Sequence, residues 1–136
     1  MPPFHLAIPV DDLEQAAAFY EGVLECPRGR SAERWIDYDF FGHQLVVHRT
    51  DGGGVRGTNP VDGDEVPIPH FGVVLAWEQF DEVEAKLRGA RVAFLIEPTV
   101  RFEGEPGEQR TMFLLDPAGN ALEFKTFRDP GQLFAS

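Results

Sequence analysis

The sequence predicts an α+β fold built from two βαβββ modules, and three observations carry that prediction. Strand-length apolar runs with an early histidine occur twice, at residues 4–10 and 70–75, and a helical pattern follows each. Each half then closes on a strand that follows a glycine turn, with Gly42 and Gly119 in matching places. Between the halves, residues 50–69 are dense in Gly, Pro and Asp and have no apolar period. Two modules of about residues 1–50 and 69–128, joined by that linker, make one domain of 136 residues.

In the first half, residues 4–10 read as a strand closed by Pro9. Asp11 stands three residues before Glu14 in the manner of a capping box. Leu13, Ala16, Ala17, Tyr20 and Leu24 then recur at helical spacing, so one amphipathic helix runs to Glu25. Pro27 and Gly29 interrupt residues 26–34, and a strand there is short. The aromatic-rich residues 35–41 form the next strand, Gly42 and His43 make a turn, and residues 44–48 return as its partner.

In the second half, residues 70–75 are a strand and Trp77 begins a helix. Phe80, Val83 and Leu87 line one side of that helix, and Gly89 is its C-cap. Residues 92–96 are the next strand, and 103–107 a polar loop. The chain closes on a hairpin: residues 111–115, the turn Asp116-Pro117-Ala118-Gly119-Asn120, and residues 121–127.

Composition narrows the functions open to such a chain. A hydrophobic fraction of 43% with 12 Phe is that of a globular domain, and no apolar run approaches the roughly 18 residues of a membrane span. A net charge of −11 disfavours nucleic acid and anionic membranes, which are bound mainly through Lys and Arg. The N-terminal residues show no signal peptide, and the single cysteine, Cys26, excludes an internal disulfide. These features fit the cytoplasm and leave a small molecule or another protein as partner.

One carboxylate stands out. Glu123 lies between Leu122 and Phe124 on the last strand, and an unpaired charge in a core is costly. By strand alternation Glu123 shares a face with Ala121 and Lys125, His5 with Ala7, and His70 with Gly72. If the helices cover the face of Phe4, Leu6, Ile8, Phe71, Val73, Leu122 and Phe124, then His5, His70 and Glu123 point into a cleft on the other face. Two imidazoles and a carboxylate there would suit an open-sited divalent ion such as Fe(II), Mn(II), Ni(II) or Zn(II). The plainer reading makes each histidine a hydrogen-bonded core residue and pairs Glu123 with Lys125 or an arginine.

The segments FHLAIPVDDLEQAAAFYEGVL, HFGVVL and FLLDPAGNALEFK resemble the vicinal oxygen chelate superfamily, the group of glyoxalases, bleomycin resistance proteins and extradiol dioxygenases. The resemblance implies a cupped mixed sheet with helices on its outer face, around a metal that a substrate's adjacent oxygens chelate. By position it implies His5, His70 and Glu123 as ligands. The glyoxalase branch draws a further ligand from the last strand of the first module, where this sequence has Val46; Gln44 and His48 lie on the same face. His43 is a turn residue. His48 and Tyr38 are the candidate catalytic residues, with Tyr20 a further candidate, and Gln44, Trp35, Arg101 and Arg110 are candidate substrate contacts, the arginines flanking with Glu108 the loop before the final hairpin. Two functions follow: a metal-dependent enzyme, dioxygenase-like or glyoxalase/lyase-like, or a metal-free protein that sequesters a drug. The superfamily's habit of pairing subunits allows a homodimer.

Overall fold

A computed structural model of the chain describes residues 1–51, 57–61 and 63–135. It divides into two compact units, one comprising Met1–Arg56 with Asp116–Asn120, the other Gly57–Leu115 with Ala121–Ser136. Each holds a four-stranded mixed sheet of the same topology with helical structure beside it.

In the first unit the sheet order is β1-β4-β3-β2, with β1 His5–Val10, β2 Arg28–Ala32, β3 Trp35–Phe40 and β4 His43–Arg49. β1 and β4 run parallel, while β3 is antiparallel to both its neighbours. Between β1 and β2, helix α1 (Leu13–Ala17) continues directly into a π-helical stretch, Ala18–Val23. The N-cap is Asp12, not Asp11: its Oδ1 accepts from the amides of Glu14 and Gln15, because the helix opens at Leu13. Residues 41 and 42 form the β3–β4 turn with φ of 53° and 89°, both left-handed, as a two-residue hairpin requires. His43, expected in that turn, opens β4 and accepts the Phe4 amide on Nδ1.

In the second unit the order is β7-β10-β9-β8, with β7 Phe71–Leu75, β8 Phe94–Arg101, β9 Gln109–Leu115 and β10 Ala121–Phe127. Helix α2 (Trp77–Gly89) packs on β7 and β10 and buries Phe80, Val83 and Leu87, each worth about 1.5–3 kcal/mol. Its C-cap is Ala90, with Arg91 taking the left-handed conformation that Gly89 was expected to supply. β8 begins two residues later than the sequence suggests and runs through Pro98; as an edge strand it tolerates the missing amide, and its register shifts there. A separate hairpin, β5 (Gly57–Val61) and β6 (Asp64–Ile68), occupies part of the segment read as a Gly/Pro/Asp-rich linker; residues 52–56 and 62 of that segment lie outside the described residues. Gly63, at a φ of 86°, supplies part of its turn.

Burial follows the faces expected under the helices but is not confined to them, since Val46, Thr111, Phe113 and Ala121 on the opposite faces are buried too. Ile8, Val10, Ile36, Tyr38, Phe40, Leu45 and Val47 are buried in the first unit, and Met112, Leu114, Leu122 and Phe124 in the second. Phe4, expected under the helix, is 66% exposed because it precedes β1. Among the described residues no helix is long and apolar enough to cross a membrane.

Candidate functional site

The two histidines of the duplicated first strands are prepared in the same way by unrelated parts. His70 directly precedes β7, and its Nδ1 donates to the backbone carbonyl of Pro67 at 2.7 Å. A carbonyl only accepts, so Nδ1 carries the proton and Nε2 projects away from that bond. His5 opens β1, and its Nδ1 donates to Gln44 Oε1 at 2.8 Å. Gln44 is oriented in turn by its amide nitrogen, which donates to Asp37 Oδ2 at 3.3 Å. Each imidazole therefore has its Nδ1 anchored to an oxygen, as the second partner of a metal-binding histidine would anchor it.

In the second unit His70 Nε2 faces Glu123 Oε1 at 3.1 Å. The other carboxylate oxygen, Oε2, accepts from the Thr111 hydroxyl. Thr111 is fully buried on β9, one diagonal step from Glu123, whose direct cross-strand partner is Phe113. The Phe113 ring packs edge-on against the His70 imidazole, with centroids 5.1 Å apart. Gly72 lies beside Glu123 across the parallel pair, and a Cβ there would fall 1.6 Å from the Glu123 carbonyl oxygen. Only glycine lets β7 approach so closely. His70 and Glu123 are thus half-buried, held from behind and directed at one another. Lys125, two residues along the same face, is not the partner of Glu123.

The register settles which residue of the first module corresponds to Glu123. Ala7 pairs with Val46 where Gly72 pairs with Glu123, so Val46 is the counterpart, and it is buried. Among the described residues there is no group of three or more His, Cys, Asp or Glu side chains placed to hold a metal ion.

The remaining candidates separate by face. His48 pairs with Trp35 across β3–β4, and both lie on the His5 face of the first sheet, His48 exposed and Trp35 half-buried. Gln44 is on that face too, but it is engaged by His5 and Asp37. Tyr38 is on the opposite, helix-covered face: it is 1% exposed and its hydroxyl donates to Glu21 at 2.7 Å. Burial, then the Glu21 hydrogen bond, raises its pKa, so it is a core residue and not a proton-transfer group on the His5 face. Tyr20 is likewise fully buried; desolvation and then Asp116 push its pKa well up.

The two arginines do not project from a loop. Arg101 ends β8, is 6% exposed and donates to Asp64 at 3.0 Å. Arg110 alternates onto the α2 side of β9, where its guanidinium stacks on Trp77 and Phe80 and donates to Asp81 and the Trp77 carbonyl. Glu108 accepts from Gly104 and Arg128, which lower its pKa in that order. Thr111 was not singled out from the sequence, although its diagonal relation to Glu123 follows from the hairpin register.

Comparison with known proteins bears on what such a site does. A family model described as the Glyoxalase/Bleomycin resistance protein/Dioxygenase superfamily matches residues 3–124. A solved glyoxalase/bleomycin resistance protein/dioxygenase from Alicyclobacillus acidocaldarius is 35% identical, with a TM-score of 0.82 over 98% of this chain and 96% of its own. The genomically encoded fosfomycin resistance protein FosX from Listeria monocytogenes is 17% identical with a TM-score of 0.70, covering 93% of each chain. Lactoylglutathione lyase from Agrobacterium tumefaciens is 17% identical with a TM-score of 0.64 over 100% of each; these last two share the fold. No curated protein matches the chain.

Proposed function

The chain belongs to the Glyoxalase/Bleomycin resistance protein/Dioxygenase superfamily, and from that premise we propose that it is a metal-dependent enzyme acting on a small molecule with adjacent oxygens. One observation carries the reading. With its Nδ1 proton given to Pro67, a neutral His70 presents a lone pair on Nε2 toward Glu123 Oε1, so two acceptors face each other at 3.1 Å. Such a pair needs a proton or a cation between its members, and an imidazole nitrogen with a carboxylate oxygen is a donor set suited to a divalent transition ion.

The proposed ligands are His70, Glu123 and His5, the last on the strength of its equivalent position and equally anchored ring. A bound divalent ion would supply Lewis-acid polarisation of the substrate's two oxygens. The chain's own contribution is orientation: Pro67 fixes the His70 tautomer, Thr111 holds Glu123 by one oxygen and leaves the other free, and Phe113 restricts the imidazole. His48 and Trp35, side by side on the His5 face, are the proposed proton-transfer and substrate-contact residues. Whether the reaction is dioxygenase-like or glyoxalase/lyase-like depends on the ion retained, iron favouring oxygen chemistry and nickel or zinc isomerisation or lyase chemistry.

A metal-free drug-sequestering protein is the second reading, favoured by the lack of a three-donor cluster among the described residues. Metal analysis of chelator-free protein separates the two. The enzyme reading expects about one equivalent in the wild type and at least a tenfold loss of affinity in His70→Ala and Glu123→Ala. Less than about a tenth of an equivalent, not restored by adding Fe(II), Mn(II), Ni(II) or Zn(II), leaves the binder.

A further inference from the structure

Arg101, expected from the sequence to meet substrate, is tied to a different part of the chain. It ends β8, is buried, and its Nη2 donates to Asp64 Oδ2 at 3.0 Å. Asp64 opens β6, and the β5–β6 hairpin forms a two-stranded sheet of its own that shares no ladder with the four-stranded one. A lone hairpin is marginal by itself, so its position is decided by what ties it down. The order β7-β10-β9-β8 puts β7 and β8 at opposite edges of the larger sheet. Pro69 and His70 lead directly from β6 into β7 at one edge, and Arg101 holds Asp64 at the other. Between the two ties lie Val66 and Pro67, both buried. Pro67 carries the carbonyl that receives the His70 Nδ1 proton.

That carbonyl decides between two arrangements of one ring. His70 has an acceptor on either side, the Pro67 carbonyl 2.7 Å from Nδ1 and Glu123 Oε1 3.1 Å from Nε2, and a neutral imidazole has a single proton to give. With the carbonyl in place the proton sits on Nδ1. With it withdrawn, Nε2 takes the proton and donates to Glu123, and the lone pair that faced the carboxylate is lost. We propose that Arg101 and Asp64 are positioning residues for His70: their ion pair fixes the hairpin, the hairpin fixes Pro67, and Pro67 keeps His70 in its Nδ1–H form. A buried guanidinium suits this task, since parting it from its carboxylate is costlier than parting an exposed pair. The tautomer is a property of the chain without metal; only its effect on metal affinity rests on the metal reading of His70 and Glu123.

The test uses long-range 1H–15N spectra of the metal-stripped full chain, in the alkaline range where the imidazole shifts no longer move with pH, with His70 identified by its loss in His70→Ala. The wild type is expected to show the Nδ1–H pattern. Asp64→Ala, at a half-buried position, and Arg101→Met should each lower the ratio of Nδ1–H to Nε2–H at least about threefold, while Asp64→Glu keeps most of it. Tyr20→Phe, which gives up its bond to Asp116, should lose stability with the ratio unchanged, so a shift in the hairpin variants is not a general loosening of the fold. A wild type in the Nε2–H form, a ratio unmoved in both Asp64→Ala and Arg101→Met, or an equal shift in Tyr20→Phe overturns the proposal. Mn(II) titration of the same proteins keeps the two readings apart. A shifted tautomer in a chain that binds no Mn(II) supports the positioning role and overturns the metal reading; an unmoved tautomer in a chain that binds Mn(II) does the reverse.

Discussion

The Tyr20 hydroxyl donates to Asp116 Oδ2 at 2.9 Å, joining residues 96 positions apart. Asp116 does more than open the final turn. Its Oδ1 accepts from the amides of Ala118 and Asn120, and its Oδ2 from Asn120 Nδ2, which also donates to the Pro9 carbonyl at 2.7 Å. The turn is therefore built on the residues of the first unit, and its Asp and Asn hold it there.

Replacing Tyr20 by Phe removes the donor and leaves a buried carboxylate oxygen with one partner fewer. A loss of about 1–3 kcal/mol is expected in urea denaturation, with metal content unchanged. A loss below about 0.5 kcal/mol would show that Asn120 alone satisfies that oxygen.

The same tyrosine makes stability sensitive to alkali. Burial, then Asp116, raises its pKa in the folded state, so the folded chain binds the phenolic proton more tightly than the unfolded chain does. Its contribution is whole below the ordinary tyrosine value of about 10 and is lost as pH rises above it. Tyr38, raised in the same direction, adds to the slope. Melting temperature should fall steeply above about pH 10, and less steeply in Tyr20→Phe. Equal slopes for both proteins would count against it.

Gly72→Ala should be severe, since its new Cβ would stand 1.6 Å from the Glu123 carbonyl oxygen and force β7 off β10. Destabilisation of at least about 3 kcal/mol, or recovery only in inclusion bodies, is the expected outcome of expression and denaturation trials. A variant folding within about 1 kcal/mol of the wild type would contradict the close approach.

Gln44 matters through His5. Gln44→Ala frees the His5 ring and should weaken metal binding about tenfold, whereas Gln44→Glu keeps an acceptor for Nδ1 and should restore most of it. Competition with a chromogenic chelator measures both; unaltered affinity in Gln44→Ala would remove Gln44 from the support of the site.

Much of this was legible because duplication writes the same pattern twice. The early histidines located β1 and β7, and the pairing of Ala7 with Val46 and Gly72 with Glu123 reproduces the alignment drawn from the glycine turns. Extended back to Gln109, the same alternation puts Arg110 with Met112 and Leu114 under α2; starting the strand at Thr111 left that arginine at the edge of the loop. Tyr38 follows the same rule with Ile36 and Phe40. The β5–β6 hairpin was hidden because Pro60 and Pro67 obscure any strand period. The anchoring of His70 by Pro67 and of Arg101 by Asp64 could not be read at all, since both are contacts with that hairpin.

The placement of residues 116–120 has a consequence for anyone who wishes to dissect this protein. A fragment ending at Arg56 would carry all four strands of its sheet yet leave the Tyr20 hydroxyl and the Pro9 carbonyl without the groups that now satisfy them. Truncation at that point would not yield a self-sufficient half: Asp116 and Asn120, from near the other end of the chain, are buried in the first unit.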